Sequence, residues 1–220
     1  ATACSPCKKG QYQSMLGAAS CDACAAGKYS LSPGATAETA CTECPVDSSS
    51  PQASAVLQAC SCNPGFTGDD GSACIRCVAG TYKPVAGDHD CDACAPGSYS
   101  VLAGAINSTT CNACPTNSHS QLASSVLTEC ACNAGSTGNN GGPCRECVAG
   151  TYKPSSGSAA CQHCTAGTFS VVAGAIAETT CKSCPTDSDG PPASNLNTNC
   201  ICNMGSTGPN GEACAKCEAG

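Results

Sequence analysis

Tryptophan is absent from this 220-residue chain, and phenylalanine and tyrosine occur only two and five times. The side chains that usually supply most buried apolar area are therefore missing. The 41% hydrophobic content does not replace them, because much of it is Ala and Cys, and an Ala methyl removes little surface from water. A conventional core is excluded. Charge is also scarce, at 11%, and the nine Lys and Arg are scattered singly through a chain of net charge -7. Phosphate backbones and anionic lipids need a basic patch, so nucleic acid is not an expected partner. No apolar run approaches the roughly 18 residues of a membrane span, and the first residues, Ala1 to Cys7, have neither a basic start nor an apolar stretch. No membrane contact is expected within the segment, and any signal peptide or anchor is expected outside it.

What is abundant is cysteine, 26 residues of it. Crosslinks substitute for a core: closing a loop of about 15 residues is worth on the order of 3 kcal/mol in the chain-entropy model. Such bonds persist only in oxidising compartments, which places the chain outside the cell or in the secretory lumen. The cysteines also repeat with a period of 70 residues. Cys4, Cys74, Cys144 and Cys214 are in phase, as are Cys7, Cys77, Cys147 and Cys217, and six further positions each recur three times. Glycines such as Gly10, Gly80 and Gly150 follow the same period, so the turns are copied with the crosslinks.

The expected organisation is the end of a preceding repeat at 1–6, repeats at 7–76, 77–146 and 147–216, and the start of another at 217–220. Both ends fall in the same phase and neither carries a polar cap, which reads as a window on a longer array. Each repeat divides into four loops joined by Cys-x-x-Cys or Cys-x-Cys, and the loops are rich in Gly, Ser, Thr and Pro. This predicts small disulfide-rich modules made of short β-hairpins and turns, with little or no helix. Since each loop contacts mainly its neighbours, an elongated rod is the expected shape.

In the first two loops of a repeat, Gly and then an aromatic follow the opening Cys, as in Gly10 with Tyr12, Gly80 with Tyr82, Gly97 with Tyr99 and Gly167 with Phe169. This opening resembles that of ephrin-receptor-like and tumour-necrosis-factor-receptor-like modules. The fourth loop, Cys132 to Cys144, resembles the closing loop of an EGF module. Similar arrays occur in large surface proteins of algae and other protists, including hair-like appendages. Together with the spacing, the resemblance implies a ladder of neighbouring pairs: Cys7–Cys21, Cys24–Cys41, Cys44–Cys60 and Cys62–Cys74; then Cys77–Cys91, Cys94–Cys111, Cys114–Cys130 and Cys132–Cys144; then Cys147–Cys161, Cys164–Cys181, Cys184–Cys200 and Cys202–Cys214. Cys4 and Cys217 are left without partners in the window. Spacing alone does not fix connectivity.

Repeated Cys-x-x-Cys is also a zinc signature. The recurring Cys-x-Cys and the scarcity of Lys and Arg oppose that reading. Asp69 and Asp70 suggest calcium in one fourth loop, but Asn139 with Asn140 and Pro209 with Asn210 replace them elsewhere, and a repeated site would repeat its ligands. His89, His119 and His163 each lack a counterpart in the other repeats, so no catalytic design recurs. No enzyme activity, metal or cofactor is expected. Asn107-Ser108-Thr109 is an N-glycosylation sequon, and Ser48-Ser49-Ser50-Pro51 would suit O-glycans.

Two features point to assembly. Every loop keeps its length in all three copies, although surface loops tolerate insertion at small cost; lateral contacts recurring along a filament would hold that length fixed. Apolar residues also sit in phase, as in Val101-Leu102 with Val171-Val172, Ile106 with Ile176, and Val56-Leu57 with Val126-Leu127. With little core to enter, some of these should be exposed as contact surface. The expected function is an extracellular structural repeat that builds a stalk or self-associating fibre. Recent duplication would also give both features, and the alternative role is a spacer or ligand-binding ectodomain of a receptor or adhesin.

Overall fold

The computed structural model describes residues 5–218. Their interior is built largely from sulfur and serine. Cys24, Cys60, Cys62, Cys94, Cys130, Cys132 and Cys200 are entirely buried; apart from cysteine, the buried apolar residues among those described are Ala105, Ala175 and Tyr152. Ser30, Ser100 and Ser170, in phase, are buried with them. Small side chains are what such closely spaced crosslinks leave room for.

Each loop opens with one local device. In the first, Gly10 takes φ +80°, and the Gln11 N–H donates to the Lys8 carbonyl at 3.1 Å to close a turn. An L side chain in that left-handed conformation would cost about 1–2 kcal/mol. The chain leaves the turn as the strand Gln11–Tyr12, paired antiparallel with Asp22–Ala23. The hairpin recurs as Lys28–Tyr29 with Thr42–Glu43, Ser48–Ser49 with Ser61–Cys62, and Phe66–Thr67 with Ile75–Arg76, which completes the first repeat. Twelve such two-stranded sheets are present among the described residues. Among the described residues helix is limited to single 3-10 turns of three residues, such as Glu38–Ala40 and Leu57–Ala59, just before a closing cysteine.

The third loops lack the opening glycine, and the structure shows what replaces it. Asp47, Asn117 and Asp187 stand there with φ of 59°, 59° and 57°. Asp and Asn are the non-glycine residues that best tolerate this region. All four loops are thus variants of one hairpin module.

The chain forms two compact units, one holding residues up to Cys94 together with Ser100–Asn112, the other Ala95–Tyr99 with the residues from Ala113 onward. Within the first, Gly10 gives its N–H to the Ser30 carbonyl at 3.0 Å and accepts the Cys24 N–H at 2.9 Å, and Tyr12 makes a parallel bridge to Ala35. Within the second, Gly150 donates to Ser170 at 2.7 Å, Cys164 donates to Gly150 at 2.9 Å, and Tyr152 bridges Ala175. Two-residue strands leave most backbone groups unpaired inside a module, so the next module satisfies them. The modules are therefore hydrogen-bonded to their neighbours as well as linked through the chain.

Candidate functional site

Among the described residues the covalent frame consists of twelve disulfides between sequence-adjacent loop ends. In the first repeat Cys7 is bonded to Cys21, Cys24 to Cys41, Cys44 to Cys60 and Cys62 to Cys74. Cys77–Cys91, Cys94–Cys111, Cys114–Cys130 and Cys132–Cys144 repeat the pattern, and Cys147–Cys161, Cys164–Cys181, Cys184–Cys200 and Cys202–Cys214 repeat it again. Each bond closes a loop of 12 to 17 residues, the size that removes on the order of 3 kcal/mol of chain entropy from the unfolded state. Cys217 is an exposed free thiol, and Cys4 lies outside the described residues.

A closely packed place is the junction between repeats. In the second unit, Gly135 of a fourth loop donates its N–H to the Lys153 carbonyl at 2.9 Å, and Gly157 donates to the Cys132 carbonyl at 2.7 Å. The Thr137 hydroxyl donates to the Ala159 carbonyl at 3.1 Å. Gly135 lies directly against the Gly174 carbonyl, with no room for a Cβ. Lys153 closes the junction: it is 1% exposed, and its Nζ donates to the Ser136 carbonyl at 2.6 Å and to that of Gly157. A buried ammonium without a carboxylate needs such acceptors. Loss of solvation holds its pKa below the ordinary lysine value.

The first unit holds the same junction one repeat earlier. Gly65 donates to Lys83 at 2.9 Å, Gly87 donates to Cys62 at 3.0 Å, and the Thr67 hydroxyl donates to His89 at 3.3 Å. Lys83 is fully buried, with its Nζ donating to the Gly87 carbonyl. The sequence pattern of singly scattered Lys and Arg did not mark these two as buried. The signal was the Tyr-Lys-Pro at Tyr82 and Tyr152, where a lysine follows a strand aromatic in phase.

The remaining candidates lie apart from this junction chemistry or serve it through the backbone. His89 contributes its main-chain carbonyl, while His119 and His163 sit in the hairpin strands Ser118–His119 and Gln162–His163. Among the described residues no group of three or more His, Cys, Asp or Glu is placed to hold a metal. Asn107 is exposed and caps the 3-10 turn Ser108–Thr110, its Oδ1 accepting from the Thr109 N–H at 2.9 Å. Of the O-glycan candidates Ser48-Ser49-Ser50, Ser49 is exposed, whereas Ser50 is buried and donates to the Lys28 carbonyl, and Ser48 is half-buried and donates to that of Pro45. Of the in-phase apolar residues, Val101, Leu102, Ile106, Val171, Val172, Ile176, Val56, Val126 and Leu127 are exposed, while Leu57 is half-buried.

A family model described as tyrosine-protein kinase ephrin type A/B receptor-like matches residues 1–41, 65–111 and 135–181, more than half of the chain. The chain belongs to this family. Two matched segments begin at Gly65 and Gly135, so each takes in the glycine and the buried lysine of the junction, though not Cys62 or Cys132, and ends with the second loop, at Cys111 or Cys181. No curated protein matches the chain. The family is a receptor-like cysteine-rich repeat and not an enzyme family.

Proposed function

We propose that this ephrin-receptor-like array is an extracellular structural element, a stalk or a laterally assembling fibre, with repeats 7–76, 77–146 and 147–216 as its units. The observation that carries the reading is apolar exposure in phase: Ile106 and Ile176 are each 59% exposed, and Val101 and Val171 are 66% and 58% exposed. The second loops of the second and third repeats thus offer similar apolar surface 70 residues apart, which suits a contact that recurs between copies of one chain. The disulfide frame supports placement in an oxidising, extracellular setting. A single N-glycan at Asn107 fits its exposed turn. The receptor-like character of the family favours a second reading, a spacer or ligand-binding ectodomain. Negative-stain electron microscopy of the native protein tests the choice: ordered filaments with a spacing set by the repeat support the fibre, and isolated single molecules at high concentration overturn it in favour of the spacer.

A further inference from the structure

The second and third repeats present the same apolar face, but only the second carries an attachment point for sugar beside it. In the second repeat the turn Ala103–Gly104 reverses the chain, so that Val101 and Leu102 enter it and Ala105 and Ile106 leave it. Ala105 is buried, whereas Val101, Leu102 and Ile106 are each more than half exposed. Val171, Val172 and Ile176 hold these positions in the third repeat and are exposed too, while Ser32 and Thr36 replace two of the three in the first. Asn107 follows Ile106 directly, its Cα about 3.8 Å away. Its counterparts are Ala37 and Ala177. Its Oδ1 accepts from the Thr109 N–H at 2.9 Å, and the Thr110 hydroxyl donates to the Asn107 carbonyl at 2.8 Å, so the acceptor triplet is held as a turn. Asn107 Nδ2 and the Thr109 hydroxyl have no protein partner among the described residues, and both residues are exposed.

We propose that the N-glycan on Asn107 lies over Val101, Leu102 and Ile106 and withdraws the second repeat from lateral contact, while the matching face of the third repeat stays bare. Covalent attachment names the occupant of the face. Linking Nδ2 to the anomeric carbon of a diphosphate-linked oligosaccharide breaks that carbon's bond to the diphosphate oxygen, and the diphosphate and one amide proton leave. The first sugar is then tethered one residue from Ile106, where the C–H face of its ring and its acetamido methyl cover apolar carbon that water would otherwise meet. Ala177 has φ -146° and ψ 145°, against -148° and 140° at Asn107. The bare face therefore differs by the missing amide and not by its backbone. This inference rests on the lateral contact proposed above and adds what selects among the faces that could make it.

Carbene footprinting of the secreted, glycosylated chain tests the cover. Asn107→Gln, and Thr109→Ala, which keeps the asparagine, should each raise labelling at Val101, Leu102 and Ile106 about twofold or more, because the sugar hides a large part of their exposed area. Labelling at Val171, Val172 and Ile176 should not change. Ala177→Asn, which completes an acceptor triplet with Glu178 and Thr179, should lower labelling at those three residues by a similar factor. In sedimentation, Asn107→Gln should associate more strongly than the parent and Ala177→Asn more weakly. Second-repeat labelling that both glycan-deleting variants leave unchanged overturns the proposal, as does a parent chain whose Asn107 is unmodified by mass. Association that responds to neither the loss nor the gain of a glycan overturns it as well. If labelling follows the glycan but no form associates, the cover is supported and the lateral reading alone falls.

Discussion

Alanine at Gly135 and alanine at Gly205 form an experiment that the repeat supplies with its own control. The two glycines have φ of +77° and +84°, so each substitution incurs the same left-handed strain, about 1–2 kcal/mol. They differ in surroundings: at Gly135 the new methyl would overlap the Gly174 carbonyl and press the Ile176 side chain at 3.1 Å, and at Gly205 it meets nothing. Overpacking of that kind typically costs a further 1–3 kcal/mol, because neighbours must shift. Arrays of modules do not unfold as one two-state unit, so the readout must be local. The Gly157 amide, bonded across the junction to Cys132, is the reporter. With a tenfold change for each 1.4 kcal/mol, Gly135→Ala should speed its exchange roughly 5- to 150-fold, and Gly205→Ala should leave it unchanged. Equal effects at Gly157 would show that the junction is not closely packed and would refute the role given to Gly135.

Three other outcomes follow from named contacts. Lys153→Met orphans the Ser136 and Gly157 carbonyls and should destabilise the junction by about 2 kcal/mol net, read as faster exchange at Gly157. Because burial lowers the Lys153 pKa, the folded state binds fewer protons than the unfolded one between that value and the ordinary lysine value. Junction stability should therefore rise with pH through that window, and the rise should vanish in Lys153→Met. Asp47→Gly should be close to neutral, whereas Asp47→Val, branched at a φ of 59°, should cost about 2 kcal/mol, measured at the Asn63 amide that bonds to the Asp47 carbonyl. In a secreted preparation, Asn107→Gln should remove a single N-glycan by mass, and identical masses would exclude modification there.

The period of 70 residues and the hairpin-and-turn character were legible in the sequence, because sulfur chemistry and glycine conformation act over short stretches of chain. A loop closed over 12 to 17 residues by its own ends has few ways to fold, and a glycine three residues after a cysteine forces a turn whatever surrounds it. The equivalence of Asp47 to Gly10 was harder to see, since Asp takes positive φ only when neighbouring contacts hold it there. The burial of Lys83 and Lys153, marked only by the in-phase Tyr-Lys-Pro, was harder still to see. A lysine is normally solvated, and only the tertiary arrangement, which brings the carbonyls of a preceding loop around the ammonium, makes its burial tolerable. The sequence by itself determined the module; the packing of one module's backbone against the next decided where repeats lock together, because those hydrogen bonds join groups 18 to 25 residues apart that no local pattern marks.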